Sequence, residues 1–195
     1  MPVTGLYFIA ETPSPTSTPI YNSVLDRLQK RHQPVHSGHY RLDHRLHRNT
    51  LPETASAPSF LQYLELPHLS PLPFVLCGTA LITLERDFLH VLKSKLGGVW
   101  THRQQLRADG VGCDIEDFRV RVGRLFMGEQ NKGVVLEVEY LPVDTIAAGE
   151  PVLRDFVDGL ELPWAGKWFF GSGDRGKEWT VMDTGRAYCE MLRFR

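Results

Sequence analysis

The stretch VVLEVEY sets Glu137 and Glu139 two residues apart. On a strand, side chains alternate between faces, so both carboxylates share one face and are spaced to hold a divalent cation between them. The chemistry that would follow is metal-assisted hydrolysis of a phosphate chain. The neighbouring stretch FRVRVGRLF offers a second account. It puts Arg119 and Arg121 on one face of a strand and Phe118, Val120, Val122 and Phe126 on the other. Any pairing that aligns the two apolar faces also aligns these arginines with Glu137 and Glu139. Cross-strand ion pairs, each contributing roughly 0.2–1 kcal/mol, then explain all four residues. The chain has no second Glu-x-Glu pair, so a metal cage built here would be half complete. The structural account is preferred.

Histidines crowd the first third of the chain at 32, 36, 39, 44 and 47. No cysteine lies near them. On a strand, His36 and His39 point to opposite sides, as do His44 and His47, so neither pair is set to chelate. GSGDRG lacks the strand–turn–helix setting of a nucleophile elbow. SKLGG is not a phosphate loop, because its glycines follow a helix and precede a strand. Gly97 and Gly98 therefore read as a helix end and turn, with Gly97 expected in left-handed backbone space. No catalytic, cofactor-binding or metal-binding residue is expected, and no cofactor.

The elements that position these groups are read from periodicity. Residues 3–10 form a strand. IYNSVLDRLQKRH is a helix with Ile20, Val24, Leu25 and Leu28 on one face, opened by Thr18 and Pro19. GHYRLDHRLHR alternates, with Tyr40, Leu42, His44 and Leu46 on one side. FLQYLEL and one or two segments between 74 and 84, broken at Gly78, are strands. A helix covers about 85–96, with Phe88, Leu89, Leu92 and Leu96 inward. Strands follow at about 99–107, 117–126 and 133–141, the last two joined by the turn GEQNKG. GEPVLRDFVDGLEL is a third helix and TGRAYCEMLRFR a fourth. The expected fold is α+β, one domain over 1–195: an antiparallel β-barrel of seven or eight strands, closed or nearly so, with external helices.

Two features stand outside this scheme. Arg103, Gln104, Gln105 and Arg107 make a strand polar on both faces, as suits a partner, a polar lumen or solvent. Residues 161–183 carry Trp164, Trp168 and Trp179 among glycines with no clear period, and read as an insertion, mobile or partner-binding. Trp100, Arg103, Gln104, Gln105, Trp164 and Trp168 are the candidate partner-binding residues.

The 22 basic and 23 acidic residues nearly cancel, which argues against tight, sequence-specific binding to nucleic acid. Cys77, Cys113 and Cys189 are too few and scattered for a disulfide framework, so reduced thiols inside a cell are expected. VTGLYFIAE is a strand, not a signal peptide, and PLPFVLCGTALITL is too short to span a bilayer. A soluble protein is expected, with no membrane partner.

VLKSKLGGVWTHRQQLRADGVGCDIEDFRVRVGRLFMGEQNKGVVLEVEYLP resembles the central core of the Mediator subunit 20 family, a head-module component of the Mediator transcription coactivator. The order of elements, from the VTGLYFIAE strand to the GRAYCEMLRF helix, is similar over most of the chain. About 161–183 departs from the pattern. The resemblance implies a β-barrel with flanking helices, related to that of Mediator subunit 18. It implies a heterodimer with that subunit, contacts with other Mediator head subunits, a contact with the TATA-binding protein, and a nuclear, non-enzymatic role in RNA polymerase II transcription. This barrel type is similar to the tunnel-shaped triphosphate hydrolases, which carry Glu-x-Glu pairs and inward arginine and lysine. The alternative is thus a metal-dependent hydrolase of that type using Glu137 and Glu139. A second Glu-x-Glu strand, or inward Arg103 and Arg107 beside inward Arg119 and Arg121, would favour it.

Overall fold

Apolar residues alternating along VVLEVEY and FRVRVGRLF pair these two stretches in the register their faces require. The computed structural model describes residues 1–11, 19–51, 58–171 and 174–193. In chain order the elements are β1 (Val3–Ala10), α1 (Ile20–Arg31), β2 (Val35–Asn49), β3 (Phe60–Glu65), β4 (Phe74–Cys77), β5 (Ala80–Thr83), α2 (Phe88–Ser94), β6 (Trp100–Ile115), β7 (Phe118–Met127), β8 (Gln130–Tyr140), α3 (Ile146–Gly159), β9 (Lys167–Phe169) and α4 (Val181–Met191). All pairings are antiparallel, in the order β5-β4-β3-β2-β6-β7-β8-β1-β9. Most of β2 to β8 follows from alternation and turn chemistry. Gly128, at φ 60, supplies the left-handed residue that the β7–β8 turn needs. Thr18, the expected helix opener, and most of the loop around 51–59 lie outside the described residues.

Among the described residues the sheet has nine strands and is not closed, where seven or eight in a barrel, closed or nearly so, were expected. The reason lies at its two ends. β5 has four residues and β9 three, and they do not pair with each other. α4 touches β1 and β9 near one end and β3, β4 and β5 at the other. The curled sheet wraps this helix, and side chains fill the gap that strand hydrogen bonds would have closed. Ala187, Tyr188, Cys189, Met191 and Leu192 pack there on Leu6, Tyr40, Leu42, Leu106, Leu125 and Val135. A capping box between Thr180 and Asp183 starts α4. The helix thus begins three residues before the stretch expected from periodicity alone.

On the outer face, α1 and α3 cover the β7–β8–β1 side, with Val24 and Leu28 of α1 and Leu153 and Val157 of α3 against Val122, Leu136 and Val138. Arg31 donates to the Gly159 carbonyl at 2.7 Å and Arg27 to that of Leu160 at 3.1 Å, capping the negative end of α3 from α1. α2 covers a separate patch of Leu61, Tyr63 and Val75.

β6 runs eight residues beyond its expected end at 107, because Gly110 and Gly112 there look like loop residues. They are what the strand requires. A Cβ on Gly110 would lie 1.9 Å from the Val122 carbonyl oxygen. Gly97 differs from expectation too. Its φ is not positive, and its constraint is the Lys93 carbonyl oxygen, 2.9 Å from where a Cβ would sit.

Candidate functional site: a filled sheet interior and a basic strand edge

The β7–β8 register sets Arg121 opposite Glu137 and Arg119 opposite Glu139, as the shared faces demand. That face is the inner one. Arg121 donates to Glu137 and, at 3.3 Å, to Glu139, while Arg119 lies 3.9 Å from Glu139 and 2.8 Å from Asp114. Glu137 is 1% exposed, so the small magnitude of exposed ion pairs does not describe it. Its second oxygen meets His68 Nε2 at 2.9 Å and accepts from the Tyr188 hydroxyl, which is itself 2.9 Å from that of Tyr40. Burial alone would raise the Glu137 carboxyl. His68, Arg121 and Tyr188 together outweigh it and hold the group at about 2. Burial raises Glu139, with Arg121 opposing. It also pushes the Tyr40 and Tyr188 hydroxyls up, and Glu137 adds to both.

Both Glu137 oxygens are thus committed, one to Arg121 and the other to His68 and the Tyr188 hydroxyl that α4 carries. Arg103 and Arg107, which the hydrolase reading needs inward, are exposed; Arg107 points away, 3.6 Å from Asp43. His68, Tyr40 and Tyr188 escaped sequence reasoning. Nothing in LPHLSPLPF marks His68 as a carboxylate partner, Tyr40 reads only as one position on a strand face, and Tyr188 only as part of the last helix.

The histidines divide. His44 faces inward, with Nε2 2.9 Å from Gln62 Oε1, and burial lowers it to about 4 against the pull of that hydrogen bond. His47 lies beside α2, its ring 5.4 Å from that of His102; burial, then His102, Arg45 and Lys93, lower it to about 4. His36 and His39 do not point apart as expected. A register shift between His36 and Gly38 leaves Ser37 as an extra residue and brings their rings to 6.5 Å, edge to face.

The candidate partner residues fall in two places. Trp100 packs half-buried in the α2 patch. A second register shift pairs Leu46 with Gln104 and His47 with His102, leaving Arg103 as the extra, exposed residue. Gln104 turns inward and donates to the Leu192 carbonyl at 3.2 Å. Gln105 turns outward and donates to Asp43 at 2.8 Å. The two glutamines thus follow plain alternation, Gln104 in phase with inward Leu106, and the bulge shifts only His102, which joins His47 on the outer face. Trp164 and Trp168 lie by β9 at one end of the sheet, half-buried. The Trp168 ring is 5.0 Å from Tyr7 and 5.1 Å from Phe170, with the Arg154 guanidinium 5.6 Å away. Trp179 is a core residue, donating through Nε1 to Thr184 at 2.9 Å.

An antiparallel sheet curled round a helix, its interior sealed by ion-paired carboxylates, defines an α+β protein that offers strand edges and helix faces to its surroundings. Residues 1–193 match the family model described as the TATA-binding related factor of subunit 20 of the Mediator complex, and the chain belongs to that family. Its place is thus among the proteins of the Mediator complex and of transcription regulation. A relative in Aedes aegypti, Mediator of RNA polymerase II transcription subunit 20, is 31% identical over 86 residues, or 43% of this chain and 39% of the relative. The matched stretch thus spans about two fifths of that relative's length. Among solved structures, a chain of the Schizosaccharomyces pombe Mediator head module is 12% identical with a TM-score of 0.48, over 85% of this chain and 98% of that one. A Hippeastrum protein whose structure is described with a dominant triphosphatase activity is 11% identical with a TM-score of 0.48, over 90% and 93%. Neither structural likeness carries weight for function.

Proposed function

We propose that this chain is a non-enzymatic, nuclear subunit of the Mediator head that pairs with Mediator subunit 18 and acts in the regulation of RNA polymerase II transcription. The observation that carries the reading is the family match over residues 1–193. The filled interior supports it, since Arg121, His68 and Tyr188 occupy the carboxylate that a hydrolase would need free. In this reading the chain works as one domain without a cofactor, through its surface. The Trp100, Arg103, Gln104 and Gln105 region and the Trp164 and Trp168 region serve as contact surfaces, and other head subunits and the TATA-binding protein are further partners.

Co-expression with subunit 18 of the same organism, followed by affinity capture and sizing, tests the pairing. A stable one-to-one complex is expected, and a chain that elutes alone at micromolar concentration overturns it. The alternative, a metal-dependent triphosphate hydrolase, has one observation in its favour: Glu137 and Glu139 do face the interior. Manganese-dependent release of phosphate from a nucleoside triphosphate, abolished by Glu137→Gln with the fold retained, would establish it.

A further inference from the structure

β6 outruns β7. It pairs with β2 from Trp100 onward, but with β7 only from Leu106, opposite Met127. At Met127 the chain turns away through Gly128 into β8. Among the described residues, 101–105 therefore have a strand neighbour on one side only. They leave an open edge about 13 Å long, with the Arg103 bulge within it, inside the sheet order and not at its ends. Beside it lies a groove of about 500 Å³ lined by His102, Arg103, Gln104, Gln105, Arg107, Phe126, Met127 and Gly128.

The groove's chemistry is one-sided. Every ionisable lining residue is basic. Arg103 is exposed, and no carboxylate lies within salt-bridge distance of it among the described residues. Arg107 has only Asp43 at 3.6 Å, and that carboxylate is already held by Arg45 at 3.1 Å and Gln105 at 2.8 Å. The adjacent groove makes a useful contrast, because there Asp43, Glu65 and Asp109 balance Arg41, Arg86 and Arg107. Half-buried Phe126 and Met127 give the first groove an apolar wall.

We infer that residues 101–105 are a docking edge for an extended acidic segment of another polypeptide, which adds to the sheet as a strand beside β6. Backbone groups along the edge supply the hydrogen bonds of strand addition. Arg103 and Arg107 select for carboxylates on the outward side of the incoming strand. Met127 and the aliphatic part of Gln104 favour apolar residues on its inward side. The same arginines disfavour basic strands, so the edge is not a general pairing hazard. Single-stranded nucleic acid is the lesser fit: the wall offers one phenylalanine, half-buried, where base stacking needs a platform of exposed rings. The inference deepens the subunit reading and rests on it only for the identity of the protein that supplies the strand.

The test uses the full chain alone and a dye-labelled peptide of alternating glutamate and valine, followed by fluorescence anisotropy and by hydrogen exchange of the chain's amides. Saturable binding with slowed exchange confined to residues 101–105 and the adjacent β7 end is expected. Methylating alternate peptide nitrogens, which keeps the charges and removes the ladder, should abolish binding. Arg103→Glu together with Arg107→Glu should weaken it by about tenfold or more. Equal binding of the methylated peptide would reduce the edge to a charge patch and overturn strand addition. So would binding of an oligothymidine in place of the peptide, self-association of the chain through the same amides, or no binding of either probe. Because the peptide is tested without subunit 18, its failure leaves the pairing experiment standing, and failure of the pairing leaves this one standing.

Discussion

At the residue scale, the carboxylate that looks most like a catalyst is the one most fully held by its neighbours. Glu137 is held at about 2 although burial opposes its charge, because His68, Arg121 and Tyr188 stabilise the anion more than desolvation penalises it. A carboxyl whose folded value lies below its unfolded one stabilises the fold above the unfolded value, and that contribution is lost as pH falls through the folded one. The window for Glu137 is therefore about pH 5 down to about 2. Glu139, raised by burial, works in the opposite sense and partly masks it. Glu137→Gln separates the two. At pH 7 the substitution deprives buried Arg121 of its main partner, at a cost of roughly 3 kcal/mol. Near pH 2.5 the parent carboxyl is itself taking up a proton, and the gap should shrink by more than half. Urea unfolding of both proteins at pH 7, 4 and 2.5 measures this. A difference that stays constant across that range would show that the ionised form of Glu137 is not what stabilises the fold.

At the element scale, the legible and illegible parts divide by physical cause. Alternation reports one strand's two faces, and it placed β2, β7 and β8 and set Arg119 and Arg121 against Glu139 and Glu137. It fails where a strand departs from period two. The bulges at Ser37 and Arg103 insert a residue, so His36 and His39 approach and His102 joins His47 on the outer face. Glycine is equally ambiguous, since one residue type serves turns and close approaches. Gly128 is a turn residue with positive φ, whereas Gly110 sits in mid-strand because the Val122 carbonyl leaves no room for a side chain. Gly110→Ala should therefore break the β6–β7 ladder and lower stability by at least about 2 kcal/mol, as backbone displacement would require. Gly98→Ala, where a Cβ meets nothing within 4 Å and φ is not positive, should stay within about 0.5 kcal/mol of the parent. Thermal melts of the pair check the contrast, and equal losses would deny that close approach is what Gly110 serves.

At the scale of the whole molecule, the order of the elements in the chain says little about what fills the sheet. α4 has an amphipathic pattern like any outer helix, yet it lies inside the curl and replaces barrel closure. No periodicity distinguishes these, because a helix packed on an inner face and one packed on an outer face present the same stripe. The consequence is cooperative. Tyr188, Met191 and Leu192 are at most 4% exposed, and burying side chains of this size contributes roughly 1.5–3 kcal/mol apiece. Their sum rivals the roughly 5–15 kcal/mol by which a domain is stable at all. Removing α4 also strips Glu137 of the Tyr188 hydroxyl and bares the inner faces of Leu6, Leu42, Leu106 and Leu125 together. A chain ending at residue 180 should accordingly show no cooperative urea transition, bind a hydrophobic dye and elute as aggregate. Tyr188→Phe, which keeps the ring and removes only the hydroxyl, should fold and lose about 1–3 kcal/mol. If the truncated chain unfolded as sharply as the parent, the sheet would close without its helix, and α4 would be an ornament on a barrel instead of the element that completes an open one.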